Sequence, residues 1–105
     1  MKKERNLIKK KRLEWIEKIE YVDNKLNSKN VIKKEKQRLA RKLGIYLINN
    51  GKENLGLEYM NIGLKYMEEL KGKLHPQYLT ELNLYSKMEV RTKKIIRGRR
   101  LNRRK

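Results

Sequence analysis

Cysteine and phenylalanine are absent from the 105 residues, and proline, tryptophan and histidine occur once each. Without cysteine there is no disulfide framework, no thiolate zinc or iron–sulfur site and no thiol nucleophile. A lone His75, with no acidic cluster around it, offers little from which to build a metal site or a general base; its expected place is at a helix start, next to Pro76. Glu68 and Glu69 are adjacent and so leave a helix on different sides, which reads as surface charge rather than acid–base machinery. No phosphate-binding glycine loop, nucleophile elbow or metal-ligand spacing occurs. An enzyme, a cofactor and a small-molecule substrate are therefore not expected. Long apolar runs are missing too. None approaches the roughly 18 residues that span a bilayer, and the Lys-rich start from Met1 to Arg12 leads into no signal-peptide core. The expectation is a soluble, non-secreted chain with no membrane partner.

Acidic residues are few, 12 Asp and Glu against 30 Lys and Arg, and the formal charge is +18. Self-repulsion of that size calls for a polyanion. A nucleic-acid backbone is favoured over an anionic membrane because no strongly apolar face adjoins the densest basic runs. The charge is uneven. Residues 1–12 hold seven Lys/Arg and one Glu, residues 13–88 fourteen against ten acids, and residues 89–105 nine against Glu89 alone. The ends read as basic arms, the middle as the folded part.

Ile8, Arg12, Trp15, Ile19, Val22 and Leu26 recur at steps of three and four, which predicts a first helix over Glu4 to Leu26. A polar break follows at Asn27 to Asn30, with Ser28 the preferred cap of the next helix. Val31, Ile32, Leu39, Ala40, Leu43, Tyr46 and Leu47 predict a second helix to Asn49, closed by a left-handed Gly51. Leu55, Tyr59, Ile62, Tyr66 and Leu70 mark a third helix with a wide apolar arc, expected at the centre of the core. Lys71-Gly72-Lys73 ends it. Pro76 opens a fourth helix, expected to reach Met88 through Tyr78, Leu79, Leu82 and Tyr85. The fold expected is all-α: a small bundle of about four helices over residues 4–88, with a basic arm or helix start at 1–12 and a basic tail at 89–105 that orders only on its partner. Trp15, Leu43, Tyr59, Ile62, Tyr66 and Leu82 are the expected core.

Two basic features point to nucleic acid. In the second helix Lys33, Lys34, Arg38, Arg41 and Lys42 fall close together, and Lys34, Arg38, Arg41 and Lys42 gather on the side away from Leu39 and Leu43. A rigid stripe of this kind can fit structured RNA by shape. In the tail Arg91, Lys93, Lys94, Arg97, Arg99, Arg100, Arg103, Arg104 and Lys105 can neutralise successive phosphates and release counterions. Tyr46, Tyr59, Tyr66 and Tyr78 lie on helical stripes and are expected to pack, whereas Tyr85, closest to the tail, could stack on a base.

Within Leu43–Arg97 lies a succession of short motifs. Leu47-Ile48-Asn49-Asn50-Gly51-Lys52-Glu53 ends a helix in a glycine–lysine turn, His75-Pro76 starts another, and Met88-Glu89-Val90-Arg91-Thr92-Lys93-Lys94 follows. Their order resembles the bacterial and organellar form of the seventh small-subunit ribosomal protein, whose Val-Glu-Val-Arg segment enters a basic hairpin; the paired glycines of that family stand here as Ile96 and Arg97. The resemblance implies a structural protein bound to rRNA among neighbouring ribosomal proteins, on the ribosome of a mitochondrion or in the bacterial cytoplasm. Ala40, Leu43, Gly44, Leu47, Gly56, Met60 and Gly63 are similar, in turn, to the packing and small positions of a single tetratricopeptide repeat, in which Gly56 and Gly63 would let paired helices approach closely. Two other functions fit the composition: a DNA-binding accessory protein of a phage or mobile element, and a protein-interaction module of the helical-repeat type.

Overall fold

The computed structural model describes the backbone of residues 2–103 and the side chains of residues 14–94. Four helices follow one another: α1 (Lys2–Leu26), α2 (Lys33–Asn49), α3 (Glu53–Lys71) and α4 (Pro76–Arg103). The described residues contain no strand.

The turn between α2 and α3 is set by Gly51, whose φ of 83° carries the chain out of the helix. The Lys52 N–H then reaches back to the Leu47 carbonyl at 2.8 Å and the Gly51 N–H to that of Ile48 at 3.2 Å, satisfying carbonyls that the helix end leaves open. Two helices reversed by so short a turn must pack along their length, and small residues decide how closely. A Cβ placed on Gly56 would lie 2.6 Å from the Gly44 carbonyl oxygen, and one on Gly44 2.8 Å from the Met60 nitrogen. Backbone therefore meets backbone where these glycines cross.

The core lies among α1, α2 and α3. Val22, Leu43, Leu47 and Tyr59 are buried together, with Trp15, Ile19, Leu26, Leu39, Tyr46, Leu55 and Ile62 packed around them. Trp15, Leu43, Tyr59 and Ile62 thus take the places expected of them. Tyr66 and Leu82 do not. Both are half-buried and stand outside this cluster, because α4 lies along α3 away from α1. One polar contact locks α1 onto the hairpin, the Tyr59 hydroxyl donating to Asp23 Oδ1 at 2.6 Å. Burial first, and then the Asp23 carboxylate, push the Tyr59 phenol well above its ordinary pKa.

Two local expectations need correction. Ser28 does not cap α2: the helix starts at Lys33 after an extended Ile32 that provides no side-chain cap, while Ser28 Oγ accepts from the Asn30 N–H inside the loop. The crossing from α1 to α2 uses up residues 27–32, leaving Ser28 too early to reach the first helical N–H groups. Second, the fourth helix does not stop at Met88. It continues to Arg103, so the segment read as a tail extends α4, while α1 begins at Lys2, two residues before the Glu4 expected. Lys and Arg are good helix formers, so a basic composition is no reason for a helix to end. Glu89 and Lys93 pair one turn apart at 3.6 Å, and Thr92 is only 2% exposed, which keeps α4 packed well past Met88. The start of α4 is as expected: Pro76 opens it, and His75 Nδ1 accepts from the Gln77 N–H at 3.1 Å as a cap.

Candidate nucleic-acid interface

Extents of 48 × 34 × 17 Å describe a flattened array in which α1 and α4 flank the hairpin. The direction of each flanking helix follows from its contacts. Lys52, beyond the Gly51 turn, holds its ammonium 4.9 Å from the Trp15 ring, Lys18 lies over Tyr46, and Val22 shares a groove with Leu39 and Leu43. Successive residues of α1 therefore meet earlier and earlier residues of α2. The two helices are antiparallel. On the other flank Pro76 and Gln77 border the same cleft as Leu70 and Lys71 at the end of α3, so α4 runs back along α3. At 1.5 Å per residue α3 measures about 28 Å and α4 about 42 Å, so α4 overruns its neighbour by roughly 14 Å.

Both overhangs point the same way. The chain of α1 before Trp15 and that of α4 after Thr92 extend towards the end marked by the Gly51 turn. Residues 1–12 and 89–105 account for net charges of +6 and +8, that is 7 − 1 and 9 − 1, within the total of +18. The body between them carries 14 − 10, or +4. The antiparallel order of the helices thus brings the described backbone of the two most basic segments, residues 2–12 and 89–103, to one end of the molecule.

The stripe expected on α2 is divided among its neighbours. Arg41 donates from Nε to Glu81 Oε2 of α4 at 2.8 Å, so its charge is held against α4. Gly63, lacking a side chain, lies against the Arg41 backbone. Lys33 pairs with Glu69 at 3.2 Å. Lys34 borders the cleft beside α4, and Lys42 borders the groove beside α1. Arg38 remains exposed between them. Coulomb attraction to carboxylates on other helices, which periodicity does not reveal, splits one stripe into separate cations.

On α4, Arg91, Lys93 and Lys94 are exposed, with Lys93 paired to Glu89. Lys87, Arg91 and Lys94 line a shallow depression with Ser86 and Val90, on the face opposite the buried Thr92. Lys87 was missed in the sequence. Its spacing of four from Arg91 and seven from Lys94 becomes a signal only once the helix is known to continue past Met88. Arg97, Arg99, Arg100 and Arg103 belong to the helical backbone, but their side chains lie outside the described residues, as do Arg104 and Lys105 altogether. The stretch Met88–Lys94, whose counterpart in the ribosomal resemblance enters a hairpin, is helical here.

The aromatic residues are largely engaged. Lys18, Lys25 and Lys52 cover the rings of Tyr46, Tyr21 and Trp15 at 4.9, 5.5 and 4.9 Å. Tyr85 is half-buried, and burial together with the nearby Glu89 carboxylate raises its phenol pKa. Among the described residues no group of three His, Asp or Glu is placed to hold a metal ion, and no helix is long and apolar enough to cross a membrane. Comparison of the chain with family models, with curated proteins and with solved structures finds no match.

Proposed function

We propose that this protein binds structured RNA, without catalysis, by placing its two basic helix ends on the phosphate backbone. The observation that supports the reading best is the common backbone direction of those helix ends, since residues 2–12 and 89–103 account for 7 − 1 and 7 − 1, or +12, of the +18 formal charge. Two helical prongs carrying that charge can follow two backbone tracks at once, whereas an evenly spread charge could only coat a surface. Arg dominates the α4 end, and its planar guanidinium suits both phosphate and unpaired bases. Within this reading the motif order between Leu43 and Arg97 makes the RNA ribosomal. The chain would then be a structural protein of the small subunit, in a mitochondrion or a bacterial cytoplasm, with ribosomal proteins as its neighbours.

Fluorescence anisotropy with an RNA hairpin, repeated across a salt series, tests the contact mechanism. The expected result is an affinity that falls steeply with salt and exceeds that for a DNA duplex of equal length. A flat salt dependence sinks the phosphate mechanism, and a preference for the DNA duplex turns the reading towards a DNA-binding accessory protein. Purification from native cells at moderate salt tests the ribosomal assignment: rRNA and ribosomal proteins should accompany the chain and be dispersed by ribonuclease.

A further inference from the structure

The end of the array opposite the basic prongs has a different chemistry. There the α1–α2 and α3–α4 connections come together, the Lys33–Glu69 pair tying the start of α2 to the end of α3. Large apolar side chains stand in solvent at this end: Leu74 is 91% exposed and Ile32 68%, with Leu70 and Leu79 also exposed. Single exposed apolar residues are ordinary, but a group of them at one end marks a contact surface. Beside them a cleft of about 510 Å³ opens between α2, α3 and α4, its apolar side formed by Met67, Leu70 and Pro76 and its rim by Lys34 and Lys71. Among the described residues neither lysine has a carboxylate at ion-pair distance. Glu81, the carboxylate lining the cleft, is engaged by Arg41.

We propose that this cleft receives an amphipathic helix of a partner protein, with apolar anchors against Met67, Leu70 and Pro76 and carboxylates facing Lys34 and Lys71. The charge selects this occupant. A second copy would present the same end, with its own Lys34 and Lys71, and set like charges against each other. An RNA strand could neutralise the lysines but would leave the leucines in water, and only a ligand with an apolar face removes both costs. Because the cleft and the basic prongs are at opposite ends, the partner helix and the polyanion can be held together. The proposal does not rest on the RNA reading, since it uses neither prong.

The test uses the full chain and a fluorescein-labelled helical peptide of about 18 residues, five turns, with leucines at steps of three and four and glutamates beside them. A scrambled peptide of the same composition and a version with Lys in place of Glu serve as comparators. The first peptide should bind about tenfold more tightly than either comparator. Leu70→Ser and Lys71→Glu, both at exposed residues that line the cleft, should each weaken it several-fold while leaving the helical circular dichroism unchanged. An RNA hairpin should not displace it. Equal binding of the scrambled peptide, or insensitivity to both substitutions, overturns the proposal; displacement by RNA assigns the cleft to nucleic acid instead.

Discussion

Gly44, Gly56 and Gly63 lie on the seam between α2 and α3, yet a methyl group has a different consequence at each. At Gly44 and Gly56 a Cβ would lie within 2.9 Å of backbone atoms of the facing helix, which cannot turn aside as a side chain can. At Gly63 the nearest atoms are 3.2 Å away, so a shift of a few tenths of an ångström suffices. Gly44→Ala and Gly56→Ala should therefore destabilise the protein by about 1–3 kcal/mol through overpacking. In Gly63→Ala the gain in helix propensity, up to about 1 kcal/mol, should offset most of the strain. Urea denaturation of the three variants checks the order, and a Gly63→Ala as damaging as Gly56→Ala would refute this account of the seam. Tyr59 makes a second prediction at this scale. Its folded pKa lies above the ordinary value of 10.0, so the stabilisation from its protonated hydroxyl is complete below pH 10 and fades as the pH rises beyond it. Denaturation at pH 8 and pH 11 should show a larger loss of stability in the parent than in Tyr59→Phe, a comparison that cancels the deprotonation of the lysines common to both chains.

The four elements differ in what holds them. α2 and α3 have a tight turn, a glycine seam and the buried Leu47, all short in sequence range. Among the described residues α4 is tied to α2 by one ion pair across a long stretch of chain, Arg41–Glu81, whose carboxylate side chain is 19% exposed and whose guanidinium side chain is 39% exposed. A charged hydrogen bond of this type contributes about 1.5–3 kcal/mol when sheltered. Solvent screening at the more exposed Arg41 brings the expected coupling down to about 1 kcal/mol. A double-mutant cycle with Arg41→Gln and Glu81→Gln measures it, and a coupling near zero would show that apolar packing alone holds α4. Three helix boundaries were legible in the sequence because their causes are local: the glycine at position 51, the Lys71-Gly72-Lys73 break and the proline at position 76. The end of α4 was not, because the stretch after Met88 has few apolar residues and its persistence depends on one buried threonine and an i,i+4 ion pair. The start of α2 was placed close, but for a wrong reason, since a serine that can cap a helix does so only if the chain brings it to the first turn.

For the whole molecule the separation of charge is the governing feature. The body holds +4 and the two ends +14, so substitutions should affect RNA binding according to position rather than number. Changing Arg97, Arg99, Arg100 and Arg103 to Gln should reduce the slope of log affinity against log salt by roughly one for each phosphate that is no longer neutralised. The same number of changes at Lys29, Lys36, Lys65 and Lys73, all in the body, should leave the slope nearly intact. Equal effects from the two sets would mean that the charge acts as a diffuse cloud, and the two-prong arrangement would lose its support.

Taken alone, the sequence determined the helical class, most turns, the central core positions and the large positive charge, since these follow from residue spacing, backbone preference and composition. Which cations remain outward, which are held by carboxylates on other helices, and where the two basic ends lie relative to each other were decided only by the tertiary structure. The reason is physical: periodicity assigns a side chain to a face of its own helix, but its partner and its electrostatic neighbours are fixed by the directions in which the helices pack. Arg41 illustrates this best, a member of a basic stripe by spacing and the partner of Glu81, forty residues away, by packing.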